Sequence, residues 1–209
     1  MKTTDDFNWD TYTTEYERQV TKELEIEDKL DLIIKDFTTD SNNIYFEDNL
    51  HPNWKELYYH VFKLKPNSIF ECGCGCAHHL INISKILPHA DISGCDYSQS
   101  QINLGYKYYN LDKYEFNKTL FVQDLTKNID TTKKYEFVYT QAVMLHLSYE
   151  RAKLFLSNMA KLSSRYIFFI ENFSQHNFYN MVEEVIPEFE IINNKSKFLD
   201  NNFMLLKRK

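Results

Sequence analysis

Ile69-Phe70-Glu71-Cys72-Gly73-Cys74-Gly75-Cys76-Ala77 is the stretch on which the fold is read. A short apolar strand, predicted over Ser68 to Cys72, runs into two glycines, Gly73 and Gly75, with one residue between them. A helix, predicted over Ala77 to Leu87, follows and stops before Pro88. Glycine lets the backbone turn sharply and lets a ligand approach where a Cβ would clash. The chain has only four glycines in 209 residues, so each carries more information than usual. A lone Gly-x-Gly is weak evidence, and its placement between a strand and a helix is what raises it.

Working outward, strand and helix patterns alternate. Strands are predicted over Asp91 to Cys95, Thr119 to Gln123, Tyr135 to Thr140 and Tyr166 to Ile170. Helices are predicted over Gln99 to Tyr109, Tyr149 to Leu162, and Asn177 to Val185 before Pro187. Ala152, Phe155, Leu156 and Met159 share one face of the second of these. Phe189 to Ile192 and Phe203 to Leu206 form a closing pair across a polar stretch, and that pair is expected to be antiparallel. Before the bend, a helix is expected over 8–30, with Tyr12, Tyr16, Val20 and Leu24 at spacing four, and another from Pro52 to Leu64. The expectation is one α/β domain over 1–209, a helical cap at 1–64 on a Rossmann-like core at 65–209. Its sheet would be seven-stranded and mostly parallel, with helices on both faces and an antiparallel C-terminal strand. Ligands of such sheets bind outside the carboxyl ends of the strands.

Those strand ends carry acids. Asp96 closes the second strand, 21 residues beyond Gly75, where an acid can bind the two hydroxyls of a ribose. Asp124 follows the third strand, where a carboxylate can accept from the exocyclic amine of adenine.

Together these residues resemble the class I S-adenosylmethionine-dependent methyltransferases, whose first motif is an acid followed by Gly-x-Gly-x-Gly. Here that reads Glu71, Gly73, Gly75, with Ala77 in the third glycine position. Asp96 and Asp124 stand where the family has its second and third acids, and residues 135–146 resemble its fourth-strand motif. The resemblance implies S-adenosyl-L-methionine as cofactor and S-adenosyl-L-homocysteine as product. It implies that Glu71 orients the methionine amino group and that Gly73, Cys74 and Gly75 line the methionine and ribose. Asp96 would take the ribose hydroxyls and Tyr97 would pack on adenine. Asp124 and Leu125 would meet the adenine amine and ring, and Gln141 would help hold the methionine end. The run Trp9-x-x-Tyr12-x-x-x-Tyr16 looks like the aromatic helix that caps the cofactor in many small methyltransferases. Aromatic faces attract a sulfonium by about 0.5–2 kcal/mol.

Plainer readings stand beside these. Tyr12 and Tyr16 also fit the packing face of an amphipathic helix. His146, just after the fourth strand, is either a general base or a structural histidine at the start of a helix. Glu171, Asn172 and His176 follow the fifth strand and are rival residues for contact with the acceptor substrate. Trp54, Tyr58 and Tyr59 either roof the pocket or pack a helix. Cys72, Cys74, Cys76, His78 and His79 have the wrong spacing for a metal knuckle, so no metal is expected. The four cysteines read as reduced thiols filling a tight turn.

Composition narrows the partners. Hydrophobic residues make up 43% and charged residues 26%, and the net charge is −6. That balance disfavours a nucleic-acid partner, which needs a basic footprint. No apolar h-region opens the chain and no run reaches a membrane span, so a cytoplasmic protein without membrane attachment is expected, monomer or homodimer. The function expected is methylation of a small molecule, O-directed, on a sugar or surface-polysaccharide substituent. The alternatives are a non-catalytic cofactor-binding subunit, a nicotinamide-dependent oxidoreductase, and nucleic-acid or protein methylation. An oxidoreductase predicts Gly-x-Gly-x-x-Gly, but the last of those positions holds His78.

Overall fold

The computed structural model describes residues 9, 11–15, 17, 37–109, 111, 119–198 and 202–209. Residues 9, 11–15 and 17 are helical, in line with the start of the expected N-terminal helix. Tyr16, Val20 and Leu24 lie outside the described residues. Two three-residue strands follow, β1 (Phe37–Thr39) and β2 (Ile44–Phe46), paired as an antiparallel hairpin. Asp40 makes its turn: Oδ1 accepts from the N–H of Asn42 and of Asn43, both at 2.7 Å, and Oδ2 accepts from the Tyr45 hydroxyl at 2.9 Å. Sequence periodicity does not reveal this hairpin, because three residues are too few to show a two-residue period.

Helix α1 (Pro52–Leu64) begins with proline in its first turn, and His51 caps it by accepting from the N–H of Asn53 at 3.2 Å. It ends at Lys65, whose left-handed conformation (φ +46°) lets its N–H reach Val61 O. The sheet then builds through β3 (Ser68–Cys72), α2 (His78–Ile86), β4 (Asp91–Asp96), α3 (Gln99–Tyr109), β5 (Leu120–Val122) and β6 (Tyr135–Gln141). A 3-10 turn (Met144–His146) leads to α4 (Tyr149–Leu162), β7 (Ser163–Ile170), α5 (Phe178–Val185), β8 (Phe189–Asn193) and β9 (Phe203–Arg208).

These seven strands stand in the order β5-β4-β3-β6-β7-β9-β8. The first five are mutually parallel, and β9 runs antiparallel to both β7 and β8. The seven-strand mixed sheet is the one expected, and the closing pair is antiparallel as expected. Side chains alternate across it, so Phe137, Tyr139 and Phe168 pack with α1 and α2 on one face. Val138, Ile167 and Phe169 pack with α4 and α5 on the other. Burial on both faces is why the central strands read as near-continuous apolar runs. Strand order reverses between β3 and β6, which opens a crevice beyond their carboxyl ends.

Candidate active site at the carboxyl edge of the sheet

A cavity of about 420 Å³ occupies that crevice, within the range of small-ligand sites. Its floor is the bend after β3. The N–H groups of Gly73 and Cys74 both donate to Cys95 O, at 2.8 and 2.9 Å, tying the bend to the end of β4. Gly73 and Gly75 have φ of +75° and +53°. Ala77, in the third glycine position, also has a positive φ, +66°. An L-residue held there costs roughly 1–2 kcal/mol, and it turns the chain into α2. The four cysteines are all free and buried, and burial drives the thiols of Cys72, Cys74 and Cys95 upward.

Acids enter from three strands. Glu71 is 2% exposed, its Oε2 has no hydrogen-bond partner, and burial pushes its carboxyl well above the usual range. Gln141, at the end of β6, likewise keeps a buried Oε1 without a partner. Asp96 accepts from Gly75 N–H on Oδ2 and from Ser98 N–H on Oδ1, each at 2.8 Å. Burial raises Asp96, against the pull of these N–H groups. Asp124 behaves differently. Burial raises it too, but bonds from the Thr126 N–H and hydroxyl and from Lys127 outweigh that and hold it below the usual range.

The cavity wall contains Tyr12, Glu71, Gly73, Cys74, Gly75, Asp96, Tyr97, Asp124, Leu125, Gln141 and His146. Every expected cofactor residue that the structure describes is therefore brought to one cavity, together with His146. Tyr16 lies outside the described residues. Trp9 also faces the cavity, and its ring meets His146 edge-on at 5.4 Å between centroids. Burial lowers the pKa of His146.

Glu171, Asn172 and His176, expected at the acceptor, are not brought to the cavity wall. Glu171 turns its carboxylate onto backbone N–H groups of the segment after β6. Burial pushes it up to about 7, and those N–H groups oppose the rise. The exposed Asn172 caps its own loop, Oδ1 accepting from the Ser174 N–H and hydroxyl. His176 is buried against backbone carbonyls.

Sequence reasoning missed Gln101 and Arg151 in the wall, and left Trp54 between roofing the pocket and packing a helix. Gln101, on α3, donates to Thr13 Oγ1 at 2.7 Å and so ties the N-terminal helix to the core. Arg151, on α4, donates to Thr126 Oγ1 at 2.9 Å. Trp54 lines the cavity and packs on His78 and His79, with centroids 5.0 and 5.2 Å apart. Tyr58 packs behind it, bonded to His79 Nδ1 at 2.9 Å. Burial lowers both imidazoles, His78 to about 4, and Nε2 of His78 has no partner. Among the described residues no group of three or more His, Cys, Asp or Glu is arranged to hold a metal ion. No helix among them is long and apolar enough to cross a membrane.

No protein-family model matches the chain, and no curated protein matches it. Solved structures do. The magnesium protoporphyrin IX methyltransferase ChlM of Synechocystis PCC 6803, with bound S-adenosylmethionine, matches with a TM-score of 0.61 at 16% identity, over 92% of this chain and 97% of that one. The N-methyltransferase NodS of Bradyrhizobium japonicum WM9, with S-adenosylhomocysteine, matches at 0.56 and 10% identity, over 77% and 89%. The plantazolicin methyltransferase BpumL, also with S-adenosylhomocysteine, matches at 0.53 and 16%, over 76% and 82%. At these identities the likeness is one of fold: the chain has the fold of class I S-adenosylmethionine-dependent methyltransferases.

Proposed function

We propose that this chain binds S-adenosylmethionine in the cavity at the β3–β6 crevice and directs its methyl group to a hydroxyl of a small molecule, a sugar or surface-polysaccharide substituent. One observation carries the cofactor assignment. Glu71 Oε2 and Gln141 Oε1 are buried acceptors without partners in the wall of one cavity. Buried polar groups left unpaired are costly, and an ammonium group supplies the donors that both lack. The glycine bend beside them leaves room for the rest of an amino acid, and Asp96 and Asp124 stand at the next two strand ends for a nucleoside. Structurally similar proteins hold S-adenosylmethionine or its demethylated product, which supports the same choice.

The cofactor supplies a methyl group on a sulfonium, already a good leaving group. The chain's task is therefore to position the acceptor and exclude water. Glu71 and Gln141 accept from the ammonium, and its charge draws Glu71 toward the ionised form. Asp96 uses its remaining lone pairs for the ribose hydroxyls. Tyr97 packs on the adenine, Leu125 holds its face and Asp124 accepts from its amine. Trp9 and Tyr12 cover the cavity with aromatic surface. His146, kept neutral by burial at pH 7, takes the proton of the acceptor hydroxyl as the new bond to carbon forms.

Titration calorimetry with S-adenosylhomocysteine and with NAD tests the cofactor. Binding of the first alone is expected, and tight binding of NAD alone would establish an oxidoreductase instead. Methyl-labelled cofactor incubated with nucleotide sugars, glycans, protein and RNA then tests the acceptor. Label confined to the sugar or glycan fraction is expected. Label only in protein or RNA overturns the small-molecule reading, and label in none of them favours a non-catalytic subunit.

A further inference from the structure

Two buried side chains from the segment after β7 grip one turn of the cavity wall, residues 142–147, from opposite sides. Glu171 is 3% exposed. Its Oε1 accepts from the N–H groups of Val143 and Met144, and its Oε2 from that of Leu145, all three at 3.0 Å. His176, 6% exposed, brings Nε2 to 3.0 Å from Met144 O and 3.1 Å from Leu147 O. Carbonyl oxygens only accept, so this nitrogen carries the proton and donates to both. Two side chains thus satisfy five backbone groups of one short turn.

What the turn carries is functional surface. Val143 packs against the glycine bend, and His146 stands in the cavity wall beside Trp9. The base of the turn is fixed as well: Ala142, at φ +56°, donates its N–H to Ile170 O at 2.9 Å. Glu171 is held in turn, its own N–H donating to Asn202 O at 3.0 Å. Burying a carboxylate is costly, and an apolar side chain would fill the same space more cheaply. The carboxylate adds direction, because three N–H groups must converge on it for the cost to be offset.

We infer that Glu171 and His176 are positioning residues: they lock residues 142–147 so that His146 is presented to the acceptor, and they touch neither cofactor nor substrate themselves. This rests on the assignment of His146 as the acceptor's base. It replaces direct substrate contact with action through the turn.

NMR of the isotope-labelled full chain, with calorimetry of S-adenosylhomocysteine, tests it in Glu171→Gln. An amide cannot accept from all three N–H groups in the same geometry. Amide exchange at 143, 144 and 145 is expected to quicken at least about tenfold while sheet amides are unchanged. The depressed His146 titration is expected to move toward its ordinary midpoint, about 6.5. Affinity for the ligand is expected to stay within about threefold, since the bend and Asp96 are untouched. A folded variant with wild-type exchange and wild-type His146 titration overturns the inference. If Glu171→Gln does not fold, His176→Phe removes both carbonyl bonds while keeping a ring, and the same shifts are expected. Failure of both variants to fold makes the pair determinants of the fold and overturns the inference too. Failure of the unmodified protein to bind the ligand sinks the proposed function instead, and leaves the exchange and titration results to judge the turn.

Discussion

A Cβ placed on Gly73 would stand 2.5 Å from Cγ2 of Val143, so the floor of the cavity and the turn beside it close on each other with no room for a side chain. The same residue has φ +75°. Gly73→Ala is therefore expected to lower stability by about 1–3 kcal/mol, read from the urea midpoint. Adding Val143→Ala should return the part due to the clash and leave the part due to the backbone.

The buried acceptors predict which half of the ligand they serve. Glu71→Gln is expected to weaken S-adenosylhomocysteine at least about tenfold, since charge-assisted bonds contribute roughly 1.5–3 kcal/mol. 5′-Methylthioadenosine, which has no amino-acid tail, should bind as before. Equal losses for both ligands would remove Glu71 from the ammonium site.

Asp96→Ala should weaken both ligands alike, at least about tenfold or 1.4 kcal/mol, through lost ribose bonds and the freed N–H of Gly75. Unchanged affinity by calorimetry would show that this acid serves something other than the nucleoside.

His146→Ala should slow methyl release to the acceptor by about 10²-fold or more and leave the affinity for S-adenosylhomocysteine within about twofold. Turnover at the wild-type rate would relieve this histidine of its role.

His78 and His79 give stability a pH dependence. Burial holds His78 at about 4 against an ordinary 6.5, and His79 is also lowered. The unfolded chain takes up these protons first, so the contribution is complete above pH 6.5. It is lost as pH falls toward 4, by up to roughly 3 kcal/mol for His78. His78→Phe should flatten the fall in denaturation midpoint over that window, and an unaltered slope would place the loss elsewhere.

Most of the fold was legible because most sheet strands adjoin a helix with its own period. Pro52–Leu64, Gln99–Tyr109 and Tyr149–Leu162 begin and end where their apolar faces and flanking prolines or strands put them. β7 starts at Ser163, earlier than its apolar run, since Ser164 earns its place by bonding Tyr135 O, a partner distant in sequence. In the cavity, the bend and the acids were readable because each lies at the carboxyl end of a strand or just beyond it. Gln101 and Arg151 come from helices, where only packing decides which face meets the cavity. Glu171 was placed at the correct edge of the sheet, but no sequence pattern tells which way a strand-end carboxylate turns.

The thiols packed under the bend make the protein its own clock for opening. All four are shielded, so an alkylating reagent must wait until the chain parts around them, and its rate of uptake follows that event. Cys74 and Cys76 border the cavity, and a molecule seated there should lengthen the wait at these two most of all.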